Sequence, residues 1–172
     1  MRFSSRTFGA ASIVALALAG CGGGGGGGDS GSSGTSSQSS TISGTAATGA
    51  AISGGTVSAI CTGGNPANAT TAANGTFSLT LPAGVSTPCI LKVVSGATTL
   101  FGYAPSGASA ANITSVSDLV VARAAGQTPA TAYASFSPTL ASTIASALAA
   151  AQTYVRNQLG FSLNVAIPST DF

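Results

Sequence analysis

Histidine, glutamate and tryptophan are absent from the 172-residue chain, and charged residues make up only 5% of it. General acid–base chemistry needs a group that titrates near the working pH, or a carboxylate tuned toward it. Without His or Glu, the usual serine, cysteine and zinc constellations cannot be assembled from this chain alone. A serine with Lys92 as its base is the one arrangement left, and no recognisable spacing supports it. Asp29, Asp118 and Asp171 are the only acidic side chains and lie far apart in sequence, whereas a hard-cation site wants several clustered oxygens. The expectation is a protein that is not an enzyme and holds neither cofactor nor metal.

Positive charge is equally scarce. Arg2 and Arg6 stand at the N-terminus, and beyond them only Lys92, Arg123 and Arg156 remain, scattered rather than clustered. Nucleic acid is therefore not an expected partner, because affinity for it rests on grouped Lys and Arg neutralising phosphates. No apolar run is long enough to span a bilayer. The longest, Phe8 to Ala19, breaks into glycine well short of the roughly 20 residues that a spanning helix needs.

That run has another meaning. Arg2 and Arg6, then the apolar stretch, then Leu18-Ala19-Gly20-Cys21 form a positive n-region, an h-region and a small-residue cleavage site. Together they resemble a bacterial lipoprotein signal, with an ordinary secretory signal as the alternative. The resemblance implies cleavage between Gly20 and Cys21 and attachment of acyl chains to Cys21. Several chains together exceed the marginal hold of one, since each buried methylene contributes about 0.8 kcal/mol. Gly22 follows Cys21 where the inner-membrane retention signal of that family places Asp, so if the cell is Gram-negative the resemblance implies the outer membrane.

Residues 21–41 form the lipidated cysteine and a Gly/Ser-rich linker, expected to be a disordered tether with a root-mean-square reach of roughly 25 Å. From Ile42 to Thr114 short β-type runs alternate with Gly, Pro and Asn. The clearest is Thr76 to Leu81, where Phe77, Leu79 and Leu81 share one face. Asn74-Gly75 before it is a hairpin signal. Val57, Ala59 and Cys61 share a face of another run; Cys89, Leu91 and Val93 share a face of a third, leaving Lys92 outward. Further strands are expected at Thr41–Ala46, at Thr98–Tyr103 and near Ile113 and Thr114. Six or seven short strands at this spacing predict a β-sandwich.

Cys61 and Cys89 fall on inward faces of their strands in a chain read as exported, and the third cysteine is assigned to lipid. A disulfide between them is expected, with a redox or metal-binding pair as the alternative. Thr70 to Phe77, preceded by Gly44-Thr45 and Gly54-Gly55-Thr56-Val57, resembles the carboxypeptidase regulatory-like domain, with Ala72 where that family carries Asp. The resemblance implies a seven-strand, prealbumin-like antiparallel sandwich serving as a folding and attachment module without catalytic residues.

After the sandwich, Ser115-Val116-Ser117-Asp118 reads as a capping box opening a short helix to Arg123, stopped by Gly126; Leu119 to Val121 also fits a strand. A longer helix is predicted from Ser137 as N-cap and Pro138 at the first turn to Gly160 just past its end. Leu140, Ile144, Leu148, Ala151, Val155 and Leu159 make one apolar stripe, expected to pack on the sandwich or on a partner rather than in a membrane. The tail, 161–172, ends without a cap or closing element, as expected of a shortened form of a longer chain.

The chain therefore reads as mainly β: signal peptide 1–20, linker 21–41, sandwich 42–114 and helical segment 115–160. Its expected role is that of a lipid-anchored envelope protein with a structural or protein-interaction module. The alternative is carbohydrate or small-ligand binding at the sandwich edge or loops, where Phe101 and Tyr103 offer aromatic contacts.

Overall fold

The computed structural model describes residues 39–163; the signal, Cys21 and most of the linker lie outside this range. Seven strands come first: β1 (Thr41–Ala47), β2 (Thr56–Cys61), β3 (Gly64–Thr70), β4 (Thr76–Thr80), β5 (Cys89–Ser95), β6 (Thr98–Ala104) and β7 (Ile113–Thr114). Three helices follow: α1 (Ser115–Ala125), α2 (Pro129–Ala134) and α3 (Pro138–Leu163). No helix among the described residues is long and apolar enough to cross a membrane.

The strands form two sheets, ordered β4-β1-β7 and β3-β2-β5-β6. Side-chain alternation at period two builds the core between them. Ile42, Phe77 and Leu79 from the first sheet meet Val57, Ala59, Leu91 and Val93 from the second in one buried cluster. The opposite face of the first sheet is a polar surface on which Thr41, Ser43, Thr76, Ser78 and Thr80 are exposed.

The outer face of the four-stranded sheet does not face water. Ile90 and Phe101 form a second buried cluster with Val120 and Ala124 of α1, Ala132 of α2, and Ile144, Ala151 and Val155 of α3. Every residue of the apolar stripe predicted for α3 belongs to this cluster or packs on it. β5 is buried on both faces for this reason: Cys89, Leu91 and Val93 point into the sandwich and Ile90 into the helical layer.

Four expectations are corrected. The fold is mixed α/β rather than mainly β, because the helices make a complete third layer with its own core. The sandwich is not wholly antiparallel, since β1 and β7 pair in parallel. The described residues form three helices, not two; α2 buries only Ala132, too little for an apolar period to register, although Thr128 accepts a hydrogen bond from the Thr131 amide as N-cap and Pro129 opens the first turn. Finally, α3 runs through Gly160 to Leu163. A helical glycine costs only about 1 kcal/mol relative to alanine, so it ends a helix only where the chain turns left-handed. Gly126, with φ 66°, does so and stops α1 as expected.

The Asn74-Gly75 turn is present but joins strands of different sheets, since β3 pairs with β2 while β4 pairs with β1. Asn74 Oδ1 accepts from the Thr76 amide at 3.2 Å and from its hydroxyl at 2.7 Å. Gly75 has φ 79°, and a Cβ there would lie 2.6 Å from the Ala46 carbonyl oxygen, so the crossing requires glycine twice over.

Candidate functional site

Gly20 and Cys21 lie outside the described residues. The predicted cysteine pair is bonded: Cys61 and Cys89 are register partners on β2 and β5, with an S–S distance of 2.02 Å, and both are buried. Their disulfide leaves neither thiol free to bind a metal. Among the described residues, no group of three His, Cys, Asp or Glu side chains comes together in a way that could hold a metal ion.

Lys92 projects from β5 toward the helical layer, on the face opposite its buried neighbours. Its register partner is Ser58 on β2, a serine that is itself buried. The two do not form a nucleophile–base pair: Lys92 Nζ sits 4.7 Å from the Tyr133 ring centroid, and Ser58 Oγ accepts a hydrogen bond from the Tyr133 hydroxyl at 3.0 Å. Phe101 stacks obliquely on the same ring, with centroids 5.6 Å apart. The cluster thus fastens α2 to the sheet by a cation–π contact, a hydroxyl bond and an aromatic pair. Tyr133 had no sequence signal, because it belongs to the short helix that periodicity does not reveal.

Asp118 acts differently from its expected capping role. The helix cap lies one residue earlier: Thr114 accepts from the Ser117 amide, and Ser117 Oγ accepts from the Thr114 amide. That shift frees Asp118 Oδ1 to accept from the Phe101 amide at 3.0 Å, while Ser117 Oγ donates to the Phe101 carbonyl at 2.9 Å. β6 is an edge strand, so the first turn of α1 takes both backbone groups that Phe101 would otherwise leave unpaired.

Burial raises the pKa of the Asp118 carboxyl from its ordinary value, and the Phe101 amide opposes that rise only in part. The folded state therefore holds its proton more tightly than the unfolded chain does. The stability linked to this group is fully present below the unfolded value, near pH 4, and is lost as pH rises through the folded value. Asp118→Asn keeps the acceptor oxygen and removes the charge. Thermal melts from pH 3 to 7 are expected to show a slightly higher Tm for the variant at neutral pH and convergence with the parent at acid pH; a variant that melts lower at pH 7 contradicts this reading.

The two aromatics proposed as an exposed contact are separated by the fold. Phe101 is buried beneath the helices, whereas Tyr103 is half-buried at the margin between β6 and α3. Its hydroxyl donates to the Ala141 carbonyl at 3.3 Å, and burial raises its pKa, so the phenol stays neutral. Tyr103 lines two cavities. One, of about 150 Å³, is bordered by Pro105, Asn112, Ser117, Leu148 and Gln152; the other, of about 400 Å³, by Thr62, Pro88, Ser106, Pro138 and Ser142. Neither has a charged residue in its wall. Asn112 and Gln152 were not singled out as ligand contacts, since each joins the site only when the β6–β7 loop meets α3.

A third depression, of about 550 Å³, lies between α1 and α3 along Leu119, Ala122, Arg123, Tyr154, Val155 and Leu159. Leu119 and Tyr154 are 48% and 47% exposed, and the Arg123 guanidinium stacks on Tyr154 at 4.4 Å. Comparison of the chain with protein-family models, with curated proteins and with solved structures found no match.

Proposed function

We propose that the chain is a lipid-anchored protein of the cell envelope, held by acylated Cys21 and carrying a non-catalytic sandwich that serves as a structural or protein-interaction module. The observation that carries this reading is the Cys61–Cys89 bridge, because disulfides persist in exported proteins and are rare where thiols are kept reduced. It joins the N-terminal pattern of Arg2, Arg6, the apolar run and Leu18 to Cys21. Seven strands divided between a three-stranded and a four-stranded sheet support the prealbumin-like, carboxypeptidase regulatory-like character suggested by Thr70 to Phe77. On this reading Gly22 favours the outer membrane, and residues 22–38 give the module reach from the bilayer. The exposed Leu119 and Tyr154 support an interaction role.

Cys21→Ala is expected to move the protein from the membrane pellet to the soluble envelope fraction. Fractionation followed by mass spectrometry of the N-terminus checks it. A variant that stays in the pellet, or a native protein that keeps Met1, overturns the anchoring.

A further inference from the structure

We infer that the cleft between β6 and α3, divided by Tyr103, is a binding site for a neutral saccharide. The inference rests on the cleft alone and does not depend on how the chain is anchored. Its walls hold no Lys, Arg or Asp, so an anionic or cationic ligand would lose its hydration without gaining a counter-charge. Apolar side chains make up most of the lining, and Thr62, Ser106, Ser142, Asn112 and Gln152 set uncharged polar groups among them. What the walls offer is an aromatic side chain flanked by uncharged donors and acceptors, the combination that matches a sugar's apolar C–H face and its hydroxyl rim.

The polar groups have spare capacity. Asn112 Oδ1 is taken by the Thr45 amide at 3.0 Å, which turns the side chain into a fixed support and leaves its Nδ2 to donate. Gln152 lines the smaller cavity and its side-chain amide makes no hydrogen bond among the described residues, so both ends of that amide are open to a ligand. Tyr103 is held by its bond to Ala141 and stands between the two cavities as a preorganised wall. The two spaces, about 400 Å³ and about 150 Å³, flank Tyr103, so the fitting ligand is a chain of linked sugars laid across the Tyr103 edge, with a pyranose ring on the larger side and a substituent such as an acetamido group on the smaller.

Titration of the purified full-length mature protein with chitotetraose and with cellotetraose, followed by heteronuclear NMR, tests the assignment and the substituent. Shifts confined to Tyr103, Asn112, Gln152 and their neighbours are expected, stronger for the acetamido sugar. Gln152→Leu, on the half-buried face of α3, is expected to keep the parent melting temperature and to weaken binding by roughly five- to tenfold, the scale of one or two lost hydrogen bonds. Tyr103→Phe, which retains the ring, is expected to weaken it less. No shift with either sugar at millimolar concentration, or binding untouched by Gln152→Leu, overturns the proposal. Equal binding of both sugars overturns the acetamido assignment.

Discussion

Reduction of the Cys61–Cys89 bridge is expected to lower the unfolding free energy by roughly 3 to 4 kcal/mol. The two cysteines are separated by 28 positions, and closing a loop of that size removes about this much conformational entropy from the unfolded chain in the chain-entropy treatment. The native sheet already pairs the two residues in register, so the bond adds little order to the folded state that the ladder does not supply. β2 and β5 are the two inner strands of the four-stranded sheet, and one or both of them take part in each of its three pairings. The bridge closes the end rung of that central pairing, since Cys61 ends β2 and Cys89 begins β5. Against a total stability of about 5 to 15 kcal/mol for a domain of this size, the expected loss is a large share. Urea titrations with and without reductant measure it. In a Cys21→Ala background the denatured protein is expected to show no free thiol before reduction and two after, and coincident urea midpoints contradict the assignment.

Much of the sandwich was legible because its strands obey a strict two-residue period. Phe77 and Leu79, Val57 and Ala59, Leu91 and Val93 all face the core as their spacing requires, and the cysteine pairing followed from that same alternation together with the reading of the N-terminus as an export signal. β3 was not legible. Gly64-Asn65-Pro66-Ala67-Asn68-Ala69-Thr70 has the composition of a loop, yet it forms a strand because it lies at a sheet edge, where a residue lacking an amide proton is tolerated. The parallel contact of β1 with β7 is a long-range pairing with no local signature. For the helical layer, the stripe on α3 was visible, but its partner was not. Ile90 and Phe101 sit on the faces of β5 and β6 opposite their core-facing neighbours, and a period-two reading assigns such faces to water until a covering layer is known. The same blindness affects the Tyr103 cleft. Its walls come from β6, the β6–β7 loop, α1 and α3, and only the folded chain brings these together. The capping residue at α1 differs from its expected place by one position, and that single step decides whether Asp118 serves the helix or the sheet edge.

Ile144→Ala is expected to cost about 2 to 5 kcal/mol, comparable to losing the disulfide but through a different mechanism. Ile144 is fully buried in the N-terminal part of the α3 stripe, in the cluster that includes Ile90 and Phe101 of the sheet and Val120 of α1. Truncation removes three carbons from water exclusion and leaves a void among neighbours fixed by the sheet and by two helices, so the site has little freedom to collapse. Leu119→Ala is the informative contrast. Leu119 also sits on a helix and is as apolar, but it is 48% exposed at the groove between α1 and α3. Its truncation is expected to change stability by no more than about 0.5 kcal/mol. Hydrogen exchange separates two ways in which the Ile144 variant fails. If the layers unfold together, amides in β2 and β5 lose protection in step with those of α3. If the helical layer comes away first, α3 amides exchange while the strands stay protected, and the Tyr103 cleft disappears with them because α3 forms one of its walls. The fold predicts the coupled outcome, since Ile90 and Phe101 are fully or almost fully buried only while the helices cover them. A loss below about 1 kcal/mol for Ile144→Ala contradicts the close packing of the helical layer on the sheet.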